Sequence, residues 1–178
     1  MKKFSIVTLT FLAALVSIGT HAEESVWDWL LSFKRFKEVA PVINSTYKEE
    51  CGSCHLAYPP GLLPSASWQK LLNKKALADH FGDSAELDEE TRKELELYAL
   101  DNAAEKSYYK RPRKIMASLG TDEAPLRITE IPYIREKHED IPSEKIKGNK
   151  KVGSLSQCDK CHRQAQNASF DDDTVLIP

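Results

Sequence analysis

Every cysteine of the chain falls in one of two copies of a single pentapeptide, Cys51-Gly52-Ser53-Cys54-His55 and Cys158-Asp159-Lys160-Cys161-His162. Two thiols three residues apart on a helical turn can add to the two vinyl groups of one porphyrin, and the histidine that follows reaches the iron from the proximal face. The pattern therefore predicts two covalently attached c-type haems, one held by Cys51 and Cys54 and the other by Cys158 and Cys161. Cys-X-X-Cys alone also fits a zinc knuckle, a redox dithiol or half of a disulfide framework. None of these has a use for His55 or His162, and a thioredoxin-like dithiol is not expected twice with no βαβ pattern around it. Such cofactors dominate folding, because a half-chain of about 80 residues that could build only a thin side-chain core can wrap a porphyrin instead.

Lys2 and Lys3 precede an uncharged, mostly apolar stretch from Phe4 to Ile18, followed by Gly19-Thr20-His21-Ala22 and the acidic Glu23-Glu24. This layout predicts a secretory signal peptide over residues 1–22, cleaved after Ala22. The apolar run is short for an anchor, and no later segment is long and apolar enough to span a bilayer. Export and covalent haem attachment agree on a periplasmic location. The 178-residue chain less those 22 residues leaves 156, enough for one ordinary domain or two small ones. Cleavage removes two of the 25 basic residues and none of the 27 acidic ones, leaving a formal charge of −4 that weighs against a nucleic-acid partner.

The expected fold is mainly α, in two parts. Residues 23–110 should form a helical haem domain like that of the small class I cytochromes c. Residues 111–178 should form a smaller half that wraps its haem with little regular structure. In the first part, Val26, Trp27, Trp29, Leu30, Phe33, Phe36 and Val39 recur at mostly helical spacing, and Pro41 closes the segment. Pro59-Pro60-Gly61-Leu62-Leu63-Pro64 forbids regular structure and predicts a rigid loop against the haem edge. Ser67 offers an N-cap for one helix running through Trp68, Leu71, Leu72 and Leu77 to His80, with Gly82 as its stop. Asp88 caps a further helix from Glu89 to about Ala104, with acids in its first turn. In the second part, Pro112, Pro132 and Pro142 punctuate the chain, leaving only a short helix around residues 133–139.

Each iron needs a second axial ligand, and after cleavage the choice is narrow. The histidines are then His55, His80, His138 and His162, and the only methionine is Met116. With His55 and His162 proximal, the economical assignment puts His80 on the first iron and His138 on the second. Met116 is the rival for the second iron, and an open coordination position is the remaining alternative.

Longer stretches carry a specific resemblance. Tyr47-Lys48-Glu49-Glu50 leading into the first motif and Leu56-Ala57-Tyr58 after it, Pro60-Gly61-Leu62-Leu63-Pro64 with Trp68, Leu77-Ala78-Asp79-His80-Phe81-Gly82-Asp83, Arg127-Ile128-Thr129, and Phe170 with the closing Val175-Leu176-Ile177-Pro178 resemble the bacterial diheme cytochrome c family. The likeness spans nearly all of the chain beyond residue 22, and its departure is an Asn73-Lys74-Lys75 stretch longer than the family's usual helix. It implies a periplasmic electron-transfer protein with bis-histidine ligation of both irons, His55 with His80 and His162 with His138. It further implies a membrane b-type cytochrome as electron donor and a small mono-haem cytochrome c as acceptor. The competing reading is a haem enzyme of peroxidase or nitrogen-oxide reductase type with one open iron, for which the chain is short and the spare histidines too many.

Overall fold

The computed structural model describes residues 38–178. They belong to one compact unit, 33–178. The predicted signal peptide and all but the last two residues of the aromatic segment 26–39 lie outside the described residues. Six helices follow: α1 (Ser45–Gly52), α2 (Ser65–Leu71), α3 (Lys74–Ala78), α4 (Glu89–Asp101), α5 (Lys110–Ser118) and α6 (Pro132–Glu136). Short 3-10 turns occupy much of the remaining chain, including Ser143–Lys145, Cys158–Lys160, Ala165–Asn167 and Asp172–Thr174. Among the described residues there is no strand. Isolated antiparallel bridges join His80 to Asp83 and His162 to Val175.

Helix α1 starts because Asn44 caps it, its side-chain oxygen accepting the Tyr47 N–H at 2.7 Å. Tyr47 is then fully buried, its ring edge-on to Trp68 of α2 and 5.2 Å from Tyr98 of α4. Its hydroxyl donates to the Tyr58 carbonyl at 2.8 Å, so one aromatic residue ties the motif-bearing helix to two others and to the chain beyond the motif. The proline-rich loop is buried, and the Trp68 indole N–H donates to the Pro60 carbonyl at 2.8 Å. Gly61 is required there, because a Cβ would come within 2.9 Å of a Val39 methyl.

Two expectations are corrected. The predicted single helix from Ser67 to His80 is two helices. α2 begins after Pro64, with Ser67 buried inside it, and stops at Leu72. Asn73 then caps α3, accepting the Ala76 N–H at 2.9 Å, and α3 ends before His80. The polar Asn73-Lys74-Lys75 stretch thus ends one helix and starts the next. Nor does Pro112 break the chain. It is the third residue of α5, where the first turn's N–H groups have no intrahelical acceptor to lose, and it is buried. The Asp88 cap holds as expected, accepting the Glu90 and Thr91 N–H groups at 3.0 Å, but α4 closes at Asp101.

A single core runs through both parts of the chain, from Val39 and Tyr47 through Leu95, Ala99, Ile115 and Ile131 to Ala165 and Phe170. Leu95, Ile115 and Ile131 are fully buried, each contributing about 1.5–3 kcal/mol. Glu38 adds a polar tie: its Oε2 accepts from Arg111 Nη2 at 2.7 Å and from the Phe170 N–H at 2.9 Å, while the same guanidinium donates to the Phe170 carbonyl at 3.1 Å. Three segments far apart in sequence are thereby fastened beside the second motif.

Candidate haem sites

The first motif straddles the end of α1: Cys51 lies in its last turn, and Cys54 and His55 follow it. No disulfide joins any two of the four cysteines. Burial pushes the Cys51 thiol up to about 12 and the Cys158 thiol up to about 11. His55 Nδ1 lies 2.7 Å from the Leu56 carbonyl. Since a carbonyl can only accept, Nδ1 carries the proton and Nε2 keeps its lone pair for a metal.

His80 is presented by a tight turn. Its N–H donates to the Asp83 carbonyl at 2.7 Å, the Asp83 N–H returns a bond at 3.3 Å, and both central residues, Phe81 and Gly82, have positive φ (59° and 105°). That pair of signs is the type I′ signature, which accounts for Gly82. Phe81 packs edge-on against the His80 ring at 4.9 Å, and the Arg127 guanidinium lies over the Phe81 ring, 3.9 Å from its centre. Burial, then the neighbouring His55 and Arg127, hold His80 below the ordinary imidazole value. The His55 and His80 ring centroids are 6.4 Å apart, with the ring planes 24° from parallel.

The second motif is built without an α-helix. The Cys158–Lys160 turn is closed by the Cys161 and His162 N–H groups, both donating to the Cys158 carbonyl, and the Leu176 N–H holds the Cys161 carbonyl at 3.0 Å. His138 follows α6, its N–H bonded to the Arg135 carbonyl and its Nδ1 2.7 Å from the Ile134 carbonyl, which again leaves Nε2 free. The His138 and His162 rings are 6.1 Å apart at 68°. Burial, then His138 and Arg111, hold His162 below the ordinary value. A cavity of about 410 Å³ receives Cys158, Cys161, His162 and His138; Ile134, Ile146, Val152 and Phe170 are among its apolar walls, and Lys110, Arg111, Lys114 and Lys137 are its cations. Met116, packed on the core in α5, does not line it.

These residues fit haem. An imidazole nitrogen sits roughly 2 Å from a first-row metal and roughly 1 Å from its ring centroid, so two imidazoles sharing an ion have centroids on the order of 6 Å apart. Both pairs are separated by that gap. The second cavity is of ligand-pocket size, apolar within, and supplied with cations for the carboxylates of a porphyrin. Among the described residues, no group of three or more His, Cys, Asp or Glu is placed to hold a bare metal ion.

Two features were not readable as site residues from sequence. Tyr58, three residues past His55, stacks on the His55 ring at 4.8 Å and 26°, and its hydroxyl donates to the Ser156 carbonyl. Cys158 Sγ reaches the same carbonyl at 3.7 Å, so Tyr58 links the proximal side of the first site to the second motif. Burial, then Cys158 and Asp159, raise the Tyr58 pKa, keeping its proton in place for that bond. The other is Glu38, 124 positions before His162, for which no local signal exists.

Paired thiols, paired imidazoles and a strandless helical frame define a c-type cytochrome with two haem sites. The dihaem cytochrome c family model matches residues 47–170. Among solved structures, a diheme cytochrome c from Shewanella baltica OS155 is 39% identical, with a TM-score of 0.62, covering 76% of this chain and 93% of that one. The diheme cytochrome c from Rhodobacter sphaeroides is 36% identical, with a TM-score of 0.64, covering 73% of this chain and 98% of its own. The crystal structure of DHC purified from Rhodobacter sphaeroides is 34% identical, with a TM-score of 0.56, over 74% and 100% of the two chains. No curated protein sequence matches. The chain belongs to the dihaem cytochrome c family: it is an electron-transfer cytochrome with two covalently bound haem c groups, on Cys51 and Cys54 and on Cys158 and Cys161. No described helix is long and apolar enough to cross a membrane.

Proposed function

We propose that both irons are bis-histidine ligated, by His55 with His80 and by His162 with His138, and that the protein is a periplasmic electron carrier rather than a haem enzyme. The observation that carries this is the two imidazole pairs, whose ring centroids lie 6.4 and 6.1 Å apart, the spacing of two rings that share one metal ion. When bound, the haems supply reversible one-electron chemistry at iron. The chain's own residues do the rest. The Leu56 and Ile134 carbonyls orient His55 and His138 with Nε2 available, and the Phe81–Gly82 turn carries His80 into line. Ile134, Ile146, Val152 and Phe170 would surround the second haem with apolar surface beside His138 and His162. With imidazole on both faces, no coordination position remains for a substrate. The proposed circuit runs from a membrane b-type cytochrome, through this protein, to a small mono-haem cytochrome c.

The test is carbon monoxide binding to the reduced protein. A carrier with both irons saturated shows no change in its visible spectrum on CO addition, whereas a peroxidase- or reductase-like open iron gives a CO complex at one haem and overturns the proposal. Stopped-flow reduction by a membrane b-type cytochrome, and onward oxidation by a small cytochrome c, tests the circuit separately.

A further inference from the structure

Buried polar groups are almost always hydrogen-bonded, so the exceptions are informative. Among the described residues, buried side-chain atoms without a partner are Glu38 Oε1, Ser67 Oγ and His162 Nδ1. Two of these three belong to residues lining the same cavity, at the second haem site. His162 is also the odd one beside His55 and His138, each of which has a carbonyl 2.7 Å from Nδ1.

Glu38 is held in an unusual way. Arg111 offers Nε at 3.2 Å and Nη2 at 2.7 Å, the fork that normally takes both oxygens of a carboxylate, yet both nitrogens and the Phe170 N–H go to Oε2 alone. The other oxygen is left an acceptor with nothing to accept. The arrangement is anchored next to the ligand, because the Phe170 ring whose N–H Glu38 holds packs edge-on against His162 at 5.4 Å. Arg111 also lies 5.8 Å from the centre of the Phe170 ring, so carboxylate, guanidinium, phenyl and imidazole form one packed group.

We propose that Glu38 is a positioning residue for the second haem: in the haem-loaded protein its Oε1 accepts the Nδ1 proton of His162, directly or through one water, and lowers the reduction potential of that haem relative to the first. This rests on the proposed ligation by His162. The physical basis is that a carboxylate acceptor draws the ring proton more strongly than a carbonyl does, making the imidazole a stronger donor to iron and favouring the ferric state. His55 has only the Leu56 carbonyl, so the two haems are made unequal by their acceptors, and electrons leave the second haem more readily. Asp172 is the other carboxylate that His162 feels, but it is exposed and solvated, and so under no pressure to find a buried donor.

The experiment is spectroelectrochemical titration of the haem-loaded full chain, comparing wild type with Glu38→Gln, Glu38→Asp and Asp172→Asn. Electron paramagnetic resonance is used to assign each midpoint to its haem. Glu38→Gln is expected to favour reduction of the second haem by about tenfold, ~59 mV for one electron, with the first haem unmoved. Glu38→Asp keeps the charge but withdraws the oxygen by one methylene, and should shift the second haem in the same direction. Asp172→Asn should leave it near wild type. An unmoved second midpoint in Glu38→Gln overturns the inference. So does a wild-type midpoint in Glu38→Asp, which would assign the effect to charge alone, or a full shift in Asp172→Asn. If Glu38→Gln does not accumulate, the contrast between the two aspartate variants decides. A high-spin second iron in the wild-type protein would instead sink the ligation reading, which separates the two failures.

Discussion

Replacing Arg111 with Met should destabilise the protein more than any surface ion-pair deletion. The Arg111 and Glu38 side chains are 14% and 15% exposed and meet at 2.7 Å, and Arg111 also holds the Phe170 carbonyl. Removing one member of a fully buried pair costs roughly 3–5 kcal/mol, because the other charge stays behind unpaired. The residual exposure lets some water reach Glu38, which lowers the figure to about 2–4 kcal/mol. In a chain of this size each kcal/mol is about 2–4 °C in melting temperature, so the loss should be on the order of 5–15 °C. Guanidinium and thermal unfolding of the haem-loaded protein, followed by the Soret band and by circular dichroism, measure it. The double variant Glu38→Gln with Arg111→Met should recover part of the loss, with a coupling of at least about 1 kcal/mol. A loss below about 1 kcal/mol for Arg111→Met, the range of exposed pairs, or strict additivity in the double variant, would refute the reasoning.

Tyr58→Phe removes only the hydroxyl that reaches Ser156; it should cost about 1 kcal/mol and slow electron exchange between the haems while both spectra stay wild-type, and unchanged intramolecular kinetics after flash reduction would count against the link. Gly82→Val places a β-branched residue at a φ of 105°, so the turn presenting His80 should open, the first haem alone should bind carbon monoxide, and stability should fall by about 1–3 kcal/mol. His138→Ala should produce a high-spin second haem that binds carbon monoxide, leaving the first untouched; a fully low-spin spectrum would point to Met116 or a lysine such as Lys137.

What could be read from sequence was what is encoded locally. The motifs, the Asp88 cap with its acidic first turn, and the irregularity imposed by prolines each depend on residues a few positions apart. The short list of spare histidines is an inventory rather than a geometry, and is read by counting alone. The break after Leu72 is hidden in the sequence because Trp68, Leu71, Leu72 and Leu77 keep a helical rhythm across it, and only the ability of Asn73 to cap a new helix marks the restart. Pro112 is ambiguous in the sequence because a proline inside a helix interior and one in its first turn look alike until the start of the helix is known. Tyr58 and Glu38 were invisible as site residues for a different reason. Their partners, Ser156 for the one and Arg111 and Phe170 for the other, lie 73 to 132 positions away, and nothing in the intervening sequence records the meeting.

The proposed ligation is tested most directly by low-temperature electron paramagnetic resonance of the fully oxidised wild-type protein. Imidazole planes near parallel on one ferric iron give a rhombic low-spin signal, and planes near perpendicular give a low-spin signal with a much larger maximum g value. The His55–His80 pair at 24° should give the first and the His138–His162 pair at 68° the second, in equal amounts and without a high-spin component. A high-spin signal integrating to one haem, or a methionine-to-iron charge-transfer band in the companion near-infrared spectrum, would contradict bis-histidine ligation of both irons.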